Sequence, residues 1–108
     1  MPDHVDPVAW GKLSLFEQMG NIGSEVGRTM NALGRDDDAS ALAASQRALD
    51  LIDITVGCWS SEGRRRELLR ARELFTSAVQ DRRPDRALDA YFFQYALAAR
   101  TQRPATTI

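Results

Sequence analysis

Apolar residues recur along this chain at the alternating three- and four-residue spacing that collects them on one side of a helix, and they do so in four separate stretches. In the first, residues 14–33, Leu15, Met19, Ile22, Val26, Met30 and Leu33 form a stripe close to a heptad. Ser14 and Glu17 stand in capping-box spacing at its start, so each side chain can satisfy a backbone N–H left free there. Gly34 supplies the stop, and Asp36, Asp37 and Asp38 place negative charge at the next helix N-terminus. The second stretch, residues 37–56, aligns Leu42, Leu49, Ile52 and Val56, flanked by Ala41, Ala44, Ala48 and Leu51.

Residues 57–63 read as a loop in which Ser60 or Ser61 caps the following helix and Trp59 folds back onto the core edge. The third stretch, residues 62–81, sets Leu68, Ala71, Phe75, Ala78 and Val79 on one side, with Leu69 and Leu74 widening the apolar face. Pro84 breaks the chain, disfavouring helix before it and fitting the first turn after it. The fourth stretch, residues 85–102, carries Leu88, Tyr91, Phe92, Tyr95, Ala98 and Ala99. Short connections between helices of similar length predict an all-α fold, an antiparallel up-down-up-down four-helix bundle. The expected organisation is a flexible arm at residues 1–9, a single domain at residues 10–103 and a flexible tail at residues 104–108.

The first stretch also holds residues that a helix interior avoids. Gly20, Gly23 and Gly27 each cost about 1 kcal/mol relative to Ala, and Asn21 and Ser24 compete for backbone hydrogen bonds. Close packing or a partner must offset that cost. Glu17, Asn21, Ser24 and Arg28 fall four, three and four apart and form one polar stripe, with Glu25 beside it and within reach of Arg28. Tyr91, Phe92 and Phe93 are successive, and steps of about 100° around a helix prevent all three from facing inward. Phe93 is the one expected to be exposed or covered by a partner. The interaction residues that follow are Glu17, Asn21, Ser24, Glu25, Arg28 and Phe93.

Composition sharpens this reading. With 108 residues and 44% hydrophobic content the chain can bury one core. The net charge of −1 hides two unlike halves: residues 1–56 hold four basic and nine acidic groups, residues 57–108 ten arginines and six acids. Arg64, Arg65, Arg66, Arg70, Arg82, Arg83 and Arg86 are therefore an alternative site, an arginine surface for nucleic acid, although no aromatic residues are interleaved for base stacking. One cysteine, Cys58, and one histidine, His4, cannot make the usual zinc sites, and no metal or cofactor is expected. Asp50 and Asp53 on the second helix are expected to pair with Arg70 and Arg72 on the third, with Arg47 and Glu73 in the same set. Without a nucleophile–base pair, an enzyme is not expected. Helical ribonucleases of the HEPN class need an Arg followed shortly by a His, which the lone His4 cannot supply. The acidic, polar N-terminus and the absence of a long apolar run favour a cytoplasmic protein with no membrane partner.

Leu13-Ser14 with Glu17-Gln18, Asn21 to Val26, Arg47 to Asp53, Arg66-Glu67-Leu68 with Arg72-Glu73, and Tyr91-Phe92 with Ala98 to Arg100 resemble a family of small uncharacterised bacterial four-helix-bundle proteins. The likeness spans roughly residues 10–103 and implies the same fold without an assigned activity. In size and helix number the chain is also similar to four-helix-bundle insertion proteins that include the accessory variability proteins of diversity-generating retroelements. Those are pentameric, basic and bind a reverse transcriptase and nucleic acid. This chain is slightly acidic, so that resemblance implies no binding residue here. The expectation is a self-associating accessory or adaptor protein, with nucleic-acid binding as the alternative.

Overall fold

The computed structural model describes residues 5–101. It is all-helical, with five helices and no strand among those residues: α1 (Pro7–Gly11), α2 (Leu15–Gly34), α3 (Asp38–Cys58), α4 (Glu62–Asp81) and α5 (Arg86–Thr101). His4, the tail at residues 104–108 and the first four residues of the expected arm lie outside the described residues.

Residues 7–11, partly assigned to a flexible arm from sequence, form a fifth helix. Asp6 caps it by accepting from the Val8 N–H, and Pro7 occupies the first turn, where its missing N–H removes no intrahelical bond. Only Trp10 of this helix is buried, so no period betrays it. The Trp10 indole N–H donates to Thr55 Oγ1 at 2.8 Å, and Thr55 in turn donates to the Leu51 carbonyl. Gln18 Nε2 donates to the Trp10 carbonyl while Gln18 Oε1 accepts from the Trp59 indole at 2.9 Å. Two tryptophans, one glutamine and one threonine thus tie α1, α2, α3 and the α3–α4 link together, with their polar tips satisfied away from water.

The capping box at Ser14 and Glu17 is formed in both directions. The stop of α2 differs from expectation. Gly34 is still helical, and the left-handed residue is Asp36 at φ 58°. The Asp36 and Asp37 N–H groups close the helix on the Leu33 and Ala32 carbonyls, and Arg82, at φ 56°, ends α4 in the same way on Val79 and Ala78. The expected 57–63 loop shrinks to three residues, because α3 runs to Cys58 and α4 begins at Glu62.

On α3 the burial is centred on the flanking alanines, and of the expected stripe only Ile52 is fully buried. Ala41, Ala44, Ala48, Ile52 and Thr55 face the core, while Leu42 is 56% exposed and Leu49 and Val56 sit at its margin. The Ala41–Ala48 side chains let α3 approach α2, and the pairs Arg47–Glu25 and Trp59–Gln18 show the two helices running antiparallel. Asp53–Arg72 and Asp38–Arg82 give the same antiparallel register between α3 and α4.

Helix α5 runs antiparallel along the other side of α2, and the glycines make that contact. A Cβ on Gly20 would lie 3.3 Å from Ala96 Cα, one on Gly23 only 2.9 Å from Phe92 Cβ and 3.3 Å from its carbonyl oxygen, and one on Gly27 3.4 Å from Asp89 Oδ1. Three turns of α2 thus lack side chains where α5 is seated. Phe92 and Phe75 are fully buried beneath this seam, with Met19, Ile22, Val26 and Met30 of α2. Burial of these side chains, about 1.5–3 kcal/mol each, offsets the roughly 3 kcal/mol of helix propensity lost at the glycines.

Gly23→Ala is expected to destabilise the protein by about 1–3 kcal/mol, since the gain in helix propensity is smaller than the cost of pushing α5 off α2. Gly57→Ala, where an added methyl meets nothing within 4 Å, is expected to stabilise by up to about 1 kcal/mol. Urea unfolding of the two variants compares them directly, and equal effects would contradict the seam.

Candidate interaction face

The seam between α2 and α5 fixes what lies outside it. Asn21, Ser24 and Arg28 each follow a seam glycine, and Phe93, Leu97 and Ala90 each follow the seam residues Phe92, Ala96 and Asp89. A step of about 100° takes each side chain out of the contact, and because the helices are antiparallel both sets turn to the same outer side. All six residues are exposed. Phe93 is 55% and Leu97 44% exposed, so two large apolar side chains one helical turn apart face outward. Phe92, between its aromatic neighbours, is fully buried, which is the partition that the 100° step requires.

The polar half of this face is flat. Asn21 Nδ2 donates to the Glu17 carbonyl and Ser24 Oγ to the Gly20 carbonyl, so both side chains lie back on their own helix. Glu17 keeps one carboxylate oxygen in the capping box. Arg28 is 62% exposed and reaches Glu25 at 3.0 Å. Glu25 itself belongs elsewhere: it is only 15% exposed, turned toward α3, where it accepts from Arg47 at 3.1 Å. Of the six interaction residues read from sequence, Glu17, Asn21, Ser24, Arg28 and Phe93 share one face and Glu25 is a linker between α2 and α3. Leu97 escaped the sequence reading, although its i+4 relation to Phe93 was the available signal.

The arginines do not form one surface. Arg64, Arg65 and Arg66 point in three directions around α4, as consecutive helical residues must. Arg64 lines a recess with Trp59 and Gln18, Arg65 is half-buried, and Arg66 and Arg70 lie together with Leu69 and Glu73. Arg82, Arg83 and Arg86 stand at the opposite end of α4, about 24 Å from Arg66 along the helix axis. Two of them are engaged, Arg82 with Asp38 and Arg86 with Asp89 and Asn31. Asp53 pairs with Arg72 through two hydrogen bonds, and that contact raises the arginine's pKa further. Arg47 turns to α2 instead of α4, and Asp50 is exposed. Among the described residues no three His, Cys, Asp or Glu side chains gather as a metal site would require, and no helix is long and apolar enough to cross a membrane.

A second concavity lies where α4 and α5 meet only sparsely. Ala71, Leu74, Ala87, Leu88 and Tyr91 line an apolar groove of about 260 Å³, with Glu67, Arg70 and Asp85 at its lip. The Tyr91 hydroxyl is buried without a hydrogen-bond partner among the described residues. Its ring stands edge-on to Phe92 and Tyr95. Burial pushes its pKa above the ordinary 10.0, with Tyr95 and Glu67 adding to the rise.

Because the folded-state value lies above the unfolded one, the unfolded chain releases this proton first as pH climbs. The Tyr91 contribution is therefore complete below pH 10 and declines above it. Urea midpoints taken from neutral pH upward are expected to fall less steeply above pH 10 in Tyr91→Phe than in the parent. That variant, which loses the orphan hydroxyl, should be no less stable at neutral pH. An unchanged alkaline slope would contradict the assignment. No protein family, curated protein or solved structure matches this chain.

Proposed function

We propose that this chain is a non-enzymatic helical accessory protein that associates with itself, and that the outer α2/α5 face is its contact surface. In this reading α2 to α5 form an up-down-up-down four-helix bundle, with α1 covering the end that holds Trp10 and Trp59. The observation that carries it is the exposure of Phe93 and Leu97 on one face beside a polar stripe whose Asn21 and Ser24 already lie flat on their own helix. Exposed apolar residues grouped this way beside polar ones have the composition of an interface centre with its rim. Cys58 is a free, exposed thiol, which suits a reducing cytoplasm.

Light scattering over a range of protein concentrations tests the proposal. The parent chain is expected to rise from one chain mass to a multiple of it, and Phe93→Glu to remain at one chain mass with an unchanged far-UV spectrum, since the residue supports no core contact. A parent that stays at one chain mass throughout would contradict it.

A further inference from the structure

Resting on that reading, we infer that the partner is a second copy of this chain, docked about a two-fold axis that lies in the outer face, runs perpendicular to α2 and α5, and crosses α2 midway between Asn21 and Ser24. The inference comes from the arrangement of charge along α2. Glu17, Asn21, Ser24 and Arg28 are spaced four, three and four, so their pattern has a midpoint, and reversing the helix about it exchanges Glu17 with Arg28 and Asn21 with Ser24. A carboxylate then meets a guanidinium, and an amide meets a hydroxyl. An isologous contact needs this self-complementarity, residue i on j and j on i.

Helix α5 is centred at the same level. Gly20 is seated at Ala96, Gly23 at Phe92 and Gly27 at Asp89, so the midpoint of the α2 stripe lies opposite Phe93. One axis therefore serves both helices. It lays α2 on its copy and α5 on its copy, both antiparallel, with Phe93 on the axis and Leu97 at the level of Asp89 and Ala90 of the second copy. Phe93 then meets Phe93 of the second copy and Leu97 lies beside its Ala90, so the exposed apolar residues of one copy meet the apolar strip of the other. An axis parallel to the helices would instead set Phe93 and Leu97 over the polar stripe of α2, leaving apolar surface on hydrogen-bonding groups. The groups left over can serve the contact: Glu17 has a second carboxylate oxygen, Asn21 its Oδ1, Ser24 its lone pairs, and Arg28 donors beyond the one given to Glu25.

Charge exchange tests the pairing. Sedimentation equilibrium in low salt is expected to show dimerisation weakened by about tenfold in Glu17→Arg and in Arg28→Glu, because each change places like charges opposite one another twice, and restored in the double variant E17R/R28E. A second measurement does not depend on the capping box. In a Cys58→Ser background, an equimolar mixture of Asn21→Cys and Ser24→Cys chains should form a disulfide-linked dimer under mild oxidation, whereas each variant alone should not. A dimer that ignores the charge reversals, or Ser24→Cys chains that cross-link to one another, would overturn this axis while leaving self-association standing. A parent that never dimerises would overturn both.

Discussion

The contact of α2 with α5 across three glycines is the constraint on which the rest of the structure depends. A Cβ at Gly23 would stand 2.9 Å from Phe92, so the spacing of the two helices is available only to a residue without a side chain. With α5 held that close, Phe92 drops fully into the core beneath α2, and the aromatic series Tyr91, Phe92, Tyr95 packs edge to face along the side that meets α4. The alanine face of α3 does the same on the other flank of α2. Helix α2 is therefore the axis of the fold, gripped on both sides through small residues, and among the described residues its stripe Glu17, Asn21, Ser24 and Arg28 stays exposed.

That close approach also explains where an interaction face can lie. Residues one step beyond the seam on both helices are forced to the same outer side, so the tightness of the inner contact creates a continuous outer one. The glycines are used within the chain, and what they leave for another molecule is the apolar pair Phe93 and Leu97 with the flat polar stripe beside it. Elsewhere two ion pairs join the anionic first half of the sequence to the cationic second half, Asp53 with Arg72 and Asp38 with Arg82. Glu25 with Arg47 joins α2 to α3 within the first half, and the helical step together with the length of α4 disperses the arginines that are clustered in the sequence.

Much of this was legible in the residues because helix period and capping are local. The α2 capping box, the α2 stripe and the exposure of Phe93 follow from spacing alone. What was not legible depends on partners distant in sequence. Trp10 is one buried residue in a five-residue helix, and only Thr55 and Gln18 reveal its role. On α3, spacing offers both a leucine stripe and an alanine one. The structure buries Ala41, Ala44 and Ala48 and leaves Leu42 exposed, a choice made by packing against other helices that the period of α3 does not record. The left-handed stops fall at Asp36 and Arg82 and not at glycine, so Gly34 is the last helical residue of α2 and not its stop.

The central claim is that the glycines of α2 are used within one chain and not between two. Isotope-filtered nuclear Overhauser spectroscopy on an equal mixture of labelled and unlabelled protein tests it most directly. The account predicts cross-peaks between the Gly23 α-protons and the Phe92 β-protons only within a labelled chain, with any peaks between chains arising from Phe93, Leu97 and Ala90. A Gly23–Phe92 cross-peak that passes the filter selecting for contacts between chains would contradict it.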